Sequence, residues 1–392
     1  MWKSILSGVV LASALFTSSD VNSQIIKTND LNRYCDQDGI NRQTVIYLDQ
    51  GVIAKRDALW YKDIVNKLRF LPSERVKVVT IKDGGSEVEL AWEGCYPGWT
   101  PENAKKIKES EGAMTLFTGS ALDAVKDDLK FFTNNFQRAL AHPLAGSKYE
   151  DKPRFTMSNF PAKKLVEALY YDSKRLDLDN GVSRVIVFSD MIEKSGLVDH
   201  KNMRPVETAE AVAKRFPMFL NHADFYIYGI NYTHSESDLN TDMERFWRDY
   251  LLHSGANIAH YGNQLVVPRG DENFAVTSYT GYIVDGNGNK IITKMRLGYF
   301  PNGELTHSVL TVGDEFLPIK GSIIKSGQNI QLTGTVTAST FDGFSEGDVV
   351  KLAGSLKDMQ GQIGAPDDRT VDKKGQQYIF DLSLSRDANL SL

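Results

Sequence analysis

Thr44-Val-Ile-Tyr-Leu-Asp49-Gln-Gly-Val-Ile53 carries the clearest structural pattern in the chain. Thr44 to Leu48 is a short apolar, β-branched run, the composition of a strand buried on both faces of a parallel sheet. It ends in Asp49-Gln50-Gly51, a carboxylate and a flexible residue at the strand's carboxyl end. In open α/β sheets that edge is where ligands bind. Arg184-Val-Ile-Val-Phe-Ser-Asp190 and Ala223-Asp-Phe-Tyr-Ile-Tyr-Gly229 repeat the design. Three such runs predict a doubly wound, mostly parallel sheet of Rossmann-like type.

The segments between these runs supply the helices. Trp60, Ile64 and Leu68 recur at helical spacing and give one apolar face, stopped by Pro72. Arg75 to Ile81 reads as a strand, Asp83-Gly-Gly-Ser86 as a hairpin turn and Glu87 to Trp92 as the returning strand. Leu122, Val125, Leu129, Phe132, Phe136 and Leu140 mark a long helix expected to end at Pro143. Pro161 is expected in the first turn of a helix carrying Leu165, Ala168 and Leu169. Further helices are expected from Pro205 to Leu220 and around Met243 to Leu251, with Asn257 to Tyr261 as an edge strand.

Beyond Pro268 the composition changes. Asp285-Gly-Asn-Gly-Asn289 and Pro301-Asn-Gly303 link β-type runs, and Ile330 to Thr337 and Val349 to Leu356 are rich in Gly, Thr and Val. Helical periodicity stops. This half reads as an all-β antiparallel domain, sandwich or barrel. The division expected is residues 1–23 a signal peptide, 24–42 an irregular lead-in, 43–262 the α/β domain and 270–392 the β domain.

The signal-peptide reading rests on Lys3, the apolar run Ile5 to Phe16 and the small-residue site Val21-Asn-Ser23. Twelve residues of helix span about 18 Å, short of a hydrocarbon core of about 30 Å. Export, to a periplasmic or extracellular location, is therefore expected, with no transmembrane segment after cleavage. The two cysteines, Cys35 and Cys95, then meet an oxidising compartment and are expected to form a disulfide. The chain has 392 residues, 41% of them hydrophobic, and a formal net charge of −5. That length asks for two domains, and the absence of a basic run excludes a nucleic-acid footprint.

The order strand–Asp49, hairpin, long helices, strand–Asp190, strand and closing helix resembles a von Willebrand factor A (vWA) domain over about Gln43 to Gly262. The resemblance implies a divalent cation at the strand ends, in a metal-ion-dependent adhesion site. The family's first loop there reads Asp-x-Ser-x-Ser, a second loop gives Thr and a third Asp. In this chain Asp49 matches, Gly51 and Ile53 stand at the serine positions, Ser158 is the best match to the Thr, and Asp190 matches the last Asp. Hard cations need several oxygen ligands, so this degenerate set is expected to hold Mg2+ or Mn2+ weakly at most. The other reading makes Asp49 and Asp190 caps of loops or helix ends.

Motifs that suggest catalysis fail on context. Gly343-Phe-Ser345-Glu-Gly347 matches G-x-S-x-G, but a strand-like run follows it and no histidine lies beyond His307. The Asp285 loop has Lys290 and Arg296 where a calcium loop needs Gly and Glu. There is no H-E-x-x-H and no P-loop. Tyr96, Trp99 and Phe160 fall in loops expected to flank Asp49 and Asp190, as partner anchors or as plugs on the core. The expectation is an exported, non-enzymatic module that binds another protein, of adhesion or scaffold type, without a cofactor. The competing readings are a hydrolase or carbohydrate-active enzyme with a site between the domains, and a structural envelope component.

Overall fold

A computed structural model describes residues 29–35, 42–57, 59–110, 121–156, 159–176, 182–220, 222–234, 237–268, 274–340, 343–365 and 379–386. The expected signal peptide and Ser158 lie outside the described residues, as does much of the lead-in. Six strands form the first sheet: β1 (Arg42–Asp49), β2 (Arg75–Ile81), β3 (Val88–Cys95), β4 (Val182–Phe188), β5 (Asp224–Tyr228) and β6 (Asn257–Gly262). Their order is β3-β2-β1-β4-β5-β6, with β3 antiparallel and the rest parallel. β1 is central, and every one of its residues is buried. Alternation sorts its side chains: Val45 and Tyr47 join one core cluster, Ile46 and Leu48 the other.

Helices cover both faces. On the Ile46 side lie α1 (Leu59–Lys67) and α3 (Ala121–Ala145), with Trp60, Ile64, Phe132, Phe136 and Leu140 in the core. Between them in the chain is α2 (Pro101–Ser110). On the Val45 side lie α4 (Leu165–Asp172), α5 (Pro205–Arg215) and α6 (Ser237–His253), with Leu169, Val212, Phe246 and Trp247 in the core. Among the described residues no helix is long and apolar enough to cross a membrane.

Three helix boundaries differ from expectation. Pro143 sits inside the last turn of α3, where a missing N–H forfeits only one helical bond, and its carbonyl accepts Gln50 Nε2 at 3.0 Å. Pro161 lies outside α4, whose N-cap is Lys164, because residues 163 and 194 exchange backbone hydrogen bonds first. α5 stops at Arg215 rather than Leu220, where the Phe216 backbone leaves the helical region.

The second half is a closed eight-stranded antiparallel barrel, which resolves sandwich against barrel. Its strands are β7 (Ala275–Val284), β8 (Lys290–Tyr299), β9 (Val309–Val312), β10 (Glu315–Ser326), β11 (Asn329–Val336), β12 (Val349–Ser355), β13 (Asp358–Gly364) and β14 (Ile379–Arg386). They follow one another around the barrel, with β14 returning to β7 and β9 to β10. β11 alternates exposed and buried without a break. Its inward residues join Tyr279, Met295, Leu317 and Leu384 in the barrel core. Gly281 permits the β7–β14 crossing, since a Cβ there would lie 1.9 Å from the Ser383 carbonyl oxygen.

The two halves share an apolar joint of Val182, Phe274, Val276 and Phe300. The disulfide Cys35–Cys95, with a Cα–Cα distance of 5.3 Å, ties the segment before β1 to the end of β3.

Candidate functional site

β1 and β4 are neighbours in register, so the residues that follow them meet at the carboxyl edge. Asp49 and Asp190 do face each other there, as the strand runs predict. What joins them is a side chain that the sequence reading did not single out. The Lys163 ammonium lies 2.9 Å from Asp49 Oδ2 and 2.5 Å from Asp190 Oδ1. All three side chains are 6% exposed or less, so this is a buried carboxylate–ammonium–carboxylate bridge.

The remaining oxygens are also used. Asp49 Oδ1 accepts the Gly51 N–H at 2.9 Å, and Oδ2 accepts the Ser189 hydroxyl at 2.6 Å. Asp190 Oδ2 accepts the Thr233 hydroxyl, and Oδ1 the Ile192 N–H at 3.2 Å. Buried charge is tolerated only when it is paired and hydrogen-bonded, and here both conditions hold. Burial pushes the Asp49 carboxyl above its ordinary range, against the opposing pull of Lys163. Burial alone would lower the Lys163 ammonium, but Asp190 and Asp49 reverse that and hold it above the usual lysine range.

Backbone fixes the lysine. Lys163 N–H donates to the Lys194 carbonyl at 3.1 Å, and Lys194 N–H returns to Lys163 O at 2.8 Å. Lys194 Nζ in turn donates to Phe160 O at 2.7 Å. The one hint of this in the sequence is electrostatic. Lys163 and Lys164 immediately precede the N-terminus of α4, the end of a helix that disfavours cations. A lysine there asks for a carboxylate nearby.

The residues do not fit the divalent ion that the vWA resemblance implies. The ammonium already bridges the two carboxylates, and Gly51 and Ile53 bring no hydroxyl to the first loop. Among the described residues no cluster of three or more His, Cys, Asp or Glu side chains could hold a metal. The hydroxyl that meets Asp190 comes from Thr233, after β5.

The aromatic anchors are placed differently from expectation. Tyr96 and Trp99 follow β3, which runs antiparallel to β2, so they sit at the amino edge, opposite Asp49. Tyr96 packs on Phe70 and Phe132, and Trp99 on Tyr34. Phe160 is at the carboxyl edge, but it is 6% exposed and packs on Phe155 and His234. Core packing claims Phe160, and strand direction removes the other two.

A second polar cluster lies between the sheet and the barrel. His307 Nδ1 pairs with Asp224 Oδ2, and Asn257 Nδ2 donates to Asp224 Oδ1 at 2.9 Å. Arg296 donates to the His307 carbonyl at 3.0 Å and the His222 carbonyl at 2.7 Å. Burial, then Arg296, lowers His222 to about 3. Burial lowers His307 too. A cavity of about 380 Å3 opens beside this cluster, lined among others by Asp224, His260, Glu304 and His307.

The sequence matches no known family and no curated protein. Among solved structures the chain is similar to the human COPII-coat protein Sec24c, at 10% identity and a TM-score of 0.34. The match covers 91% of this chain but only 45% of that one, and a likeness so distant carries no functional inference.

Proposed function

We propose that the chain is a non-catalytic protein-interaction module, exported and then closed by its disulfide, with the barrel as scaffold or second binding surface. One observation carries this reading. At the carboxyl edge, where an α/β sheet does its chemistry, Asp49 and Asp190 are both consumed by Lys163, Ser189 and Thr233. General acid–base work needs a titrating group within reach of substrate, and this edge spends its carboxylates on its own structure. The partner is another protein. Affinity capture from the native envelope fraction, followed by titration of the purified pair, tests the reading. A saturable complex of fixed stoichiometry is expected, and failure of every captured protein to bind directly would overturn it.

The competing reading, an enzyme, is favoured by one feature, the Asp224–His307 pair beside the cavity between sheet and barrel. Against it, both Asp224 oxygens are already engaged, and the neighbouring Ser308 hydroxyl donates to Gly298 O at 2.8 Å. Hydrolysis of glycoside or ester substrates that disappears in His307→Gln would establish the enzyme reading.

A further inference from the structure

We propose that Lys163 is the resident cation of the carboxyl edge: its ammonium takes the place the vWA resemblance gives to a divalent ion, and truncating it uncovers a divalent-cation site. The geometry carries this in three steps. First, Nζ bridges Asp49 Oδ2 and Asp190 Oδ1 at 2.9 and 2.5 Å, the two carboxylates that the resemblance assigns to the ion. Second, the position is prepared for a side chain. The Lys163 backbone is pinned by its reciprocal pair with Lys194. A Cβ on Gly51 would press to 3.1 Å from Asp49 Oδ1 and 3.8 Å from Lys163 Cε. A side chain at the first serine position would therefore crowd the Asp49 carboxylate itself, while the lysine stem would stay at ordinary van der Waals distance.

Third, the oxygens that remain without the ammonium suit a hard cation. Two carboxylates meet at the ends of adjacent strands, Asp49 closing β1 and Asp190 just after β4, with the Ser189 and Thr233 hydroxyls beside them. Two buried carboxylates facing each other without a cation repel strongly. A divalent ion would cancel both charges and complete its shell with water. With Lys163 in place, one positive charge already serves both. The edge is then ordered regardless of the surrounding Mg2+ or Ca2+ concentration, and so is any binding that depends on its shape. For an exported protein, order of this edge becomes independent of the ionic conditions outside the cell.

Mn2+ binding and thermal melts of the whole chain test this, using wild type, Lys163→Ala, Lys163→Met and Lys163→Ala with Asp190→Asn. Wild type is expected to bind no Mn2+ at ~1 mM, the weak end of protein cation sites, and to melt alike in Mn2+ and in chelator. Lys163→Ala is expected to melt lower in chelator, to bind Mn2+ and to recover by several degrees when Mn2+ is in excess of its Kd. Adding Asp190→Asn should abolish that recovery, and Lys163→Met, which fills the space without a charge, should show none. If Lys163→Ala does not fold in chelator, recovery of folded monomer on refolding with Mn2+ supports the proposal. Failure in both media overturns it. So does Mn2+ binding by wild type that Asp190→Asn removes, a Lys163→Ala variant as stable in chelator as wild type, or one that Mn2+ leaves unmoved.

Discussion

The two ends of the same strands carry buried ionic triads of opposite sign. At the carboxyl end, one ammonium serves two carboxylates, Asp49–Lys163–Asp190. At the amino end, one carboxylate serves two guanidiniums: Glu74 binds Arg42 at 2.6 Å and Arg184 at 2.9 Å, all with fully buried side chains. Thr44 joins Glu74, and the Arg69 carbonyl accepts from both arginines, at 2.9 Å and 3.0 Å. Arginine's planar fork suits the second arrangement, because one guanidinium reaches a carboxylate and a carbonyl at once. Lysine suits the first, as a compact point charge with three donors. The difference lies in which single group is central, an ammonium at one end and a carboxylate at the other. Both ends are internally neutralised as far as one central group permits.

Breaking the amino-end triad should separate the two ends most strongly. Glu74→Gln leaves two guanidiniums buried without a counter-charge, which costs roughly 3–5 kcal/mol by analogy with broken buried pairs. Urea unfolding of the purified protein measures it. Joint replacement of Arg42, Glu74 and Arg184 by apolar residues of similar volume should recover most of the loss. A Glu74→Gln cost below ~1 kcal/mol would show that water reaches this end.

Asp190→Asn probes the other end and should cost less, about 1–3 kcal/mol. Lys163 keeps Asp49 as its partner, and the amide oxygen of Asn can still accept the Thr233 hydroxyl. The same unfolding measurement decides it. A cost equal to that of Glu74→Gln would mean the two ends are energetically alike despite their opposite stoichiometry.

Much of this fold is legible in the sequence because its strands bury both faces. Thr44 to Leu48, Arg184 to Phe188 and Phe225 to Tyr228 need no alternation, and each is a central parallel strand. The barrel was legible only as far as antiparallel strands, since a sandwich shows the same alternation. Closure depends on β10, whose 12 residues pair with β9 at one end and β11 along the rest. Asp49 and Asp190 were legible because strand ends fix them. Lys163 was not, since it arrives from a loop 27 positions before Asp190 and no strand run points to it. Tyr96 and Trp99 lie at the edge opposite to the one expected for them, although the hairpin before them is legible in the sequence. A returning antiparallel strand ends where its partner begins, and following that direction would have placed them.

A pH dependence of opposite sign also distinguishes the two ends. Glu193 follows Asp190 in the same loop, and its Oε2 accepts the Val166 N–H at 2.9 Å, at the start of α4. Burial pushes its carboxyl up to about 7, against the hydrogen bonds from Ser195 and the helix amides that lower it. An acid whose folded pKa is raised contributes stability below its unfolded value of 4.5, lost as pH rises through about 7. Glu74 runs the other way. Burial would raise it, but Arg42 and Arg184 hold it below the ordinary range, so its contribution is lost on acidification. Glu193→Gln removes the titration and keeps an oxygen for Val166. Wild type should therefore lose about 3 kcal/mol relative to this variant between roughly pH 4.5 and 8. Unfolding curves of both proteins across that range read the difference directly, because every other titrating group is common to them. A difference that stays flat, or that grows toward acid, would place the Glu193 carboxylate in contact with solvent.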